Sequence, residues 1–122
     1  MRVLIVDGAN VVGSRPDGWW RDRAGAAERL HRSLVQADLE HDLVVLVLEG
    51  QAKRGLPAGK DGTIHTVHAP GSGDDTIVKQ VRARCADGDD VLVVTADRAL
   101  RDRVTAAGGS SIGPSWLLDR TS

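Results

Sequence analysis

The stretch from Arg2 to Gly13 constrains this chain more than any other. Val3-Leu4-Ile5-Val6 runs directly into Asp7 and Gly8. An uninterrupted apolar run rich in β-branched residues and stopped by glycine predicts a strand buried on both faces of a parallel sheet. Such a strand needs helices over both faces, which restricts the chain to an α/β layer architecture. Its carboxyl end opens on the crevice where open α/β sheets bind ligands. A carboxylate at that place is costly unless something pairs with it. Asp7 therefore either anchors a loop through backbone N–H groups or holds a metal ion or a catalytic water.

The remainder of the chain repeats the pattern. Leu43 to Leu48 reads as a second buried strand, followed by Glu49-Gly50. Thr63 to Val67 alternates and predicts a third, Val91 to Thr95 a fourth, and Ser110 to Ile112 a short fifth. Between them, Ala24, Ala27, Leu30, Leu34 and Ala37 mark one helical face behind a capping Asp22. Ser72-Gly73-Asp74-Asp75 opens a second helix, and Asp97 a third that ends at Gly108-Gly109. Trp116 to Leu118 is expected to pack a last helical turn on the core. Residues 13–21 and 50–62 read as loops, the second glycine-rich and mobile. Alternating strands and helices predict a single-domain open parallel sheet with helices on both faces.

Composition narrows the function classes. A chain of 122 residues has room for one compact domain. A formal charge of −1 argues against a globally basic nucleic-acid binder but permits a local basic groove. The candidates for such a groove are Arg15, Arg21 and Arg23 in one segment, and Lys53, Arg54 and Lys60 in another. The lone Cys85 sits in an apolar helical pattern and reads as a small core residue. The apolar run before Asp7 is too short for a signal peptide, and Leu43 to Leu48 is far below membrane-spanning length. These features predict a soluble, cytoplasmic protein.

The acids give the chemistry. Asp7, Glu49 and Asp97 each follow a buried strand, and Asp74 and Asp75 follow the third strand after a glycine-rich turn. Parallel strands present their carboxyl ends on one edge, so these acids face one crevice. Several carboxylates in one place repel, and a divalent cation holds them together. Oxygen-only ligands suit Mg²⁺ or Mn²⁺. Each acid also has a plainer role open to it. Asp97 suits a helix N-cap, Asp75 suits the third position of a capping box begun by Ser72, and Glu49 suits a surface pair with Lys53 or Arg54. Asp7, Asp74 and Asp97 together favour the metal site. Trp19-Trp20, in a basic segment, suit either base stacking or the burial of a helix end.

Three motifs, Val-Asp-Gly-Ala-Asn-Val-Val-Gly at 6–13, Gly-Ser-Gly-Asp-Asp-Thr-Ile at 71–77 and Val-Val-Thr-Ala-Asp-Arg at 93–98, resemble those of NYN domains in the PIN-like nuclease superfamily. The resemblance is greatest to the YacP-like branch and spans nearly the whole chain, which implies one NYN/PIN-like domain over residues 1–122. It implies a parallel sheet of strand order 3-2-1-4-5 and metal-dependent ribonuclease activity. It further implies that Asp7, Asp74 and Asp97 bind Mg²⁺ or Mn²⁺ with Asp75 close by. Asn10 and Thr95 would support that shell, and Glu49 stands where relatives often carry an acid. Many PIN domains carry another acid on a helix between the first and third strands. Glu28 is the nearest here.

The expected activity is thus endonucleolytic hydrolysis of RNA, with the basic residues guiding the strand. The rival from another class is an RNA- or ribosome-binding module on the same fold with little or no catalysis. A receiver- or phosphatase-like domain is the remaining rival. It is disfavoured because no second acid follows Asp7 at two residues, and His68 stands where a receiver needs its aspartate. Oligomeric state is not legible in the sequence.

Overall fold

The computed structural model of the chain describes residues 1–121. β1 (Arg2–Asp7) pairs in parallel with β2 (Leu43–Leu48) on one side and β5 (Asp90–Val94) on the other. β4 (Ile64–His68) continues the sheet beyond β2, and β6 (Ser110–Ile112) continues it beyond β5. These five parallel strands run in the expected order. A sixth strand, β3 (Gly59–Asp61), adds antiparallel to the outer edge of β4, giving the order β3-β4-β2-β1-β5-β6. The sheet therefore differs from expectation by one short hairpin strand in the segment read as a loop. Gly62, at φ +60°, supplies the left-handed residue of its turn.

Strand alternation divides the core into two layers. Val3, Ile5, Val45 and Val47 face α3 (Gly73–Ala86) and α4 (Arg98–Ala106), where Ile77, Val81, Leu100 and Val104 are buried. Leu4, Val6, Leu46 and Leu48 face the other layer, with Leu30 and Leu34 of α2 (Arg23–Gln36) and Leu117 of α5 (Pro114–Thr121). Cys85 is partly buried against the first layer. Among the described residues, no helix is long and apolar enough to cross a membrane.

Two segments form short helices that the sequence did not predict. β1 leads directly into a one-and-a-half-turn helix, α1 (Gly8–Gly13), with Asp7 at its N-cap. Residues 50–55 form a 3₁₀ helix rather than a mobile loop. Three contacts pin it. Gly55 packs so closely on the Ala24 backbone that no side chain fits, Lys53 Nζ donates to the Ala69 carbonyl at 3.0 Å, and His68 Nε2 lies 2.9 Å from the Leu56 carbonyl.

Candidate active site at the carboxyl edge of the sheet

Strand order reverses at β1: the chain moves outward to β2 and β4 on one side and to β5 and β6 on the other. The crevice above such a switch point is where an α/β sheet places its ligands. Asp7 closes β1 at this point and is only 5% exposed. Gly8 makes the abrupt entry into α1 possible. A Cβ there would lie 2.6 Å from the Val47 carbonyl oxygen and 2.9 Å from Leu48 Cδ2.

Asp7 is held from two directions. Thr95 Oγ1 donates to Asp7 Oδ2 at 2.9 Å, and the Asn10 backbone N–H donates to Oδ1 at 3.4 Å. The parallel register places Val6 beside Val94, so the next residues, Asp7 and Thr95, stand level across β1 and β5. Thr95 Oγ1 also accepts from the Asp97 N–H at 3.2 Å. Asn10 Oδ1 accepts from the Ala96 N–H at 2.8 Å. Asn10 and Thr95 thus fasten the start of α1 to the β5–α4 connection and fix the Asp7 carboxylate between them.

Burial pushes the Asp7 carboxyl up to about 6. The Thr95 hydroxyl and the Asn10 N–H pull it back, and the negative charges of Asp74 and Glu49 push it further up. Asp74, in the first turn of α3, is also raised, first by burial and then by Asp97 and Glu49. Asp7, Asp74, Asp97 and Glu49 therefore feel one another across the crevice.

The crevice acids have unequal freedom. Asp97 caps α4 through Oδ1, which accepts from the Leu100 N–H at 3.0 Å. Glu49 Oε2 accepts from the Gly73 N–H at 3.3 Å, joining the end of β2 to the start of α3. Ser72 caps α3 by accepting from the Asp74 N–H at 3.2 Å. Asp75 takes no part in that cap. It is exposed and paired with Arg103 at 3.0 Å, so the capping-box role is not the one it plays. Among the described residues, no three His, Cys, Asp or Glu side chains already stand together at metal-binding distance. Uncompensated carboxylates repel, and ligands of a divalent ion close on it when it binds. The donors facing the crevice are hard oxygens, which is the set that Mg²⁺ and Mn²⁺ take.

The basic residues fall into two groups. Arg21 lies over the Trp20 ring at 5.8 Å and Arg23 over the Trp19 ring at 5.4 Å, close to the carboxyl edge. Arg15 is half-buried just after α1. Lys53 is tethered to Ala69, and Arg54 is exposed beside it. Lys60 lies on β3 opposite His65, on the side edge of the sheet rather than at the crevice. Glu28 pairs with Arg32 on the solvent face of α2 and is no part of the site. Sequence reading missed a pocket of about 320 Å³ beside Asp7, lined by Gly8, Val12, Trp19, Arg23, Leu48 and Glu49 among others. Only the adjacent tryptophans hinted at it.

No protein-family model matches the sequence, and no curated protein matches it. Solved structures do. The crystal structure of Rae1 (YacP) from Bacillus subtilis superposes with a TM-score of 0.77 at 19% identity, covering 99% of this chain and 74% of that one. A point mutant of the same protein gives 0.78 at 19% identity, with 99% and 75% covered. Over essentially its whole length, this chain has a YacP-like fold.

Proposed function

We propose that the protein is a metal-dependent ribonuclease that hydrolyses phosphodiester bonds within RNA. The observation that carries this reading is Asp7. It is a buried carboxylate at the sheet's switch point, clamped by Thr95 and Asn10 and close enough to Asp74 and Glu49 to feel their charge, with Asp97 acting in turn on Asp74. Burying an acid among acids is unfavourable for folding. It is the arrangement a cation site requires, and the YacP-like fold and the three motifs agree with it.

Asp7, Asp74 and Asp97 would hold Mg²⁺ or Mn²⁺. Glu49, whose charge reaches both Asp7 and Asp74, would join them from the end of β2, and Asp75 stands close by, paired with Arg103. When bound, the ion supplies a water of lowered pKa and positive charge beside the scissile phosphate. Thr95 keeps Asp7 Oδ2 oriented, and Asn10 holds the Ala96 backbone so that Asp97 is presented from a fixed turn. Arg15, Arg21, Arg23 and Arg54 offer phosphate contacts along the strand, with Lys53 and Lys60 flanking them.

Single-stranded RNA incubated with EDTA, Mg²⁺ or Mn²⁺ tests the reading. Cleavage is expected with either metal, none with EDTA, and none by Asp74→Asn. The cap duty of Asp97 and the Asp75–Arg103 pair favour a second reading, an RNA- or ribosome-binding module that does not cut. RNA binding without cleavage in either metal would select it.

A further inference from the structure

The basic residues assigned to RNA above come from the segment around α1 and α2 and from the stretch after β2. α3 and α4 flank the crevice on the other face of the sheet, packed against each other. Asp74 lies in the first turn of α3 and Asp97 caps α4, and cations follow along both helices. Arg103 of α4 reaches across to α3, where its Nη2 donates to Asp75 Oδ1 at 3.0 Å. Asp75 is the neighbour of Asp74, so the guanidinium is held at the rim of the crevice, and its charge acts on the Asp74 carboxyl. Lys79 and Arg82 follow Asp75 at four and seven residues, on one stripe of α3, and both are exposed. At 1.5 Å per residue, Arg82 stands about 10 Å along the helix from Asp75. Arg84 and Arg101 are used within the fold, by Gln80 and Ser111. Beyond the crevice, the acids of this side are Asp102 and, at the far end of α3, Asp87, against Lys79, Arg82, Arg98 and Arg103.

We propose that the RNA strand runs from the crevice across α3 and α4, with Arg103 transferring from Asp75 to a phosphate and with Lys79 and Arg82 binding phosphates beyond it. The inference rests on the ribonuclease reading for its substrate class. Three features support it. The Asp75 and Arg103 side chains are 66% and 45% exposed, and an ion pair so exposed is worth little, so a phosphate replaces the carboxylate at small cost. The planar guanidinium matches a phosphate with two parallel donors, and its single bond to Asp75 leaves donors spare. The stripe begins beside Asp74, so the track is continuous with the crevice. The pair also gives Asp75 a task. It does not cap α3; it keeps Arg103 beside the crevice acids until a phosphate arrives.

The test measures binding of a fluorescein-labelled uridine dodecamer to the full chain in EDTA, by anisotropy over a range of salt. Arg103→Ala is expected to lower the salt slope by about 0.7 and to weaken binding about fivefold at 0.1 M salt, the worth of one phosphate contact on a single strand. The double variant Lys79→Ala with Arg82→Ala should lower the slope by about twice as much. Asp75→Ala breaks the same ion pair but leaves the guanidinium to the RNA, so it should bind as tightly as the wild type or more tightly. Arg32→Ala, which breaks the exposed pair with Glu28 on α2, should leave the slope unchanged. Equal weakening by Asp75→Ala and Arg103→Ala would reduce the pair to a brace between two helices and overturn the proposal. So would a slope that Arg103→Ala or the double variant shifts no more than Arg32→Ala does, or a wild type that does not bind the dodecamer. Binding in EDTA needs no catalysis, so the two readings fail separately. Arg103-dependent binding without cleavage in Mn²⁺ sinks the nuclease and upholds the track. Cleavage with slopes unmoved does the reverse.

Discussion

Asp7 costs the metal-free protein stability, and the direction follows from its environment. Its carboxyl titrates near 6 in the fold, against about 3.9 in an unfolded chain. Between these values the folded state keeps its proton after the unfolded state has released it. The folded state therefore binds more protons there, and stability falls as pH rises from about 4 to about 6. Above the folded value the loss is complete, on the order of 3 kcal/mol from this 5%-exposed group. Asp7→Asn retains an acceptor for Thr95 and removes the charge. In EDTA its urea midpoint should exceed that of the wild type at pH 8, and the gap should close toward pH 4. A gap independent of pH would mean that the charge is not what burial penalises. The motif Val-Asp-Gly-Ala-Asn carried this much in the sequence: an acid at a strand end, and Asn10 three residues on. It did not carry the partners of these side chains. Thr95 reaches Asp7, and Asn10 reaches Ala96, only because β1 and β5 are neighbours in register.

At the scale of elements, buried strands were legible and short local structure was not. β1 and β2 are long apolar runs whose period leaves little choice. α1 is six residues between glycines, too short for a periodic pattern to declare itself, and it forms because β2 packs against Gly8. β3 has no apolar residue. Its one signal was the Asp61-Gly62 pair, a hairpin dipeptide. Gly8→Ala should destabilise the fold by about 1–3 kcal/mol, because the new methyl meets a backbone carbonyl that cannot yield cheaply. A shift in the urea midpoint at constant slope checks it, and an unchanged midpoint would show that α1 can move off β2. The pinned 3₁₀ segment changes the expectation for the basic residues as well. Lys53 is held toward Ala69 and Lys60 lies off the crevice, so Arg54 is the freest of the three. Triple alanine substitution should reduce the salt slope of RNA binding by about 0.7, rather than by the ~2.1 expected of three phosphate contacts on a single strand. A full loss of that size would mean that all three track the strand.

For the whole molecule, sheet order decides which acids meet. The five-strand order was legible from the motifs, and it brings the ends of β1, β2 and β5 together with the start of α3. The pocket at the same edge was not, because α1, α2 and the turn after β2 meet only once the helices have packed. The central claim is that Asp7 is there for a cation and not for the fold. Two quantities measured on purified wild type and Asp7→Asn test it together: the rate of RNA cleavage in Mn²⁺, and the melting temperature with and without Mn²⁺. The account predicts that Asp7→Asn melts no lower than the wild type without metal, gains nothing from Mn²⁺ where the wild type gains by mass action, and cuts more than about a hundredfold more slowly, beyond the ~10–100-fold cost of losing an outer partner of a metal ligand. A folded Asp7→Asn protein that still cleaves RNA at the wild-type rate, or that is stabilised by Mn²⁺ as the wild type is, would contradict it.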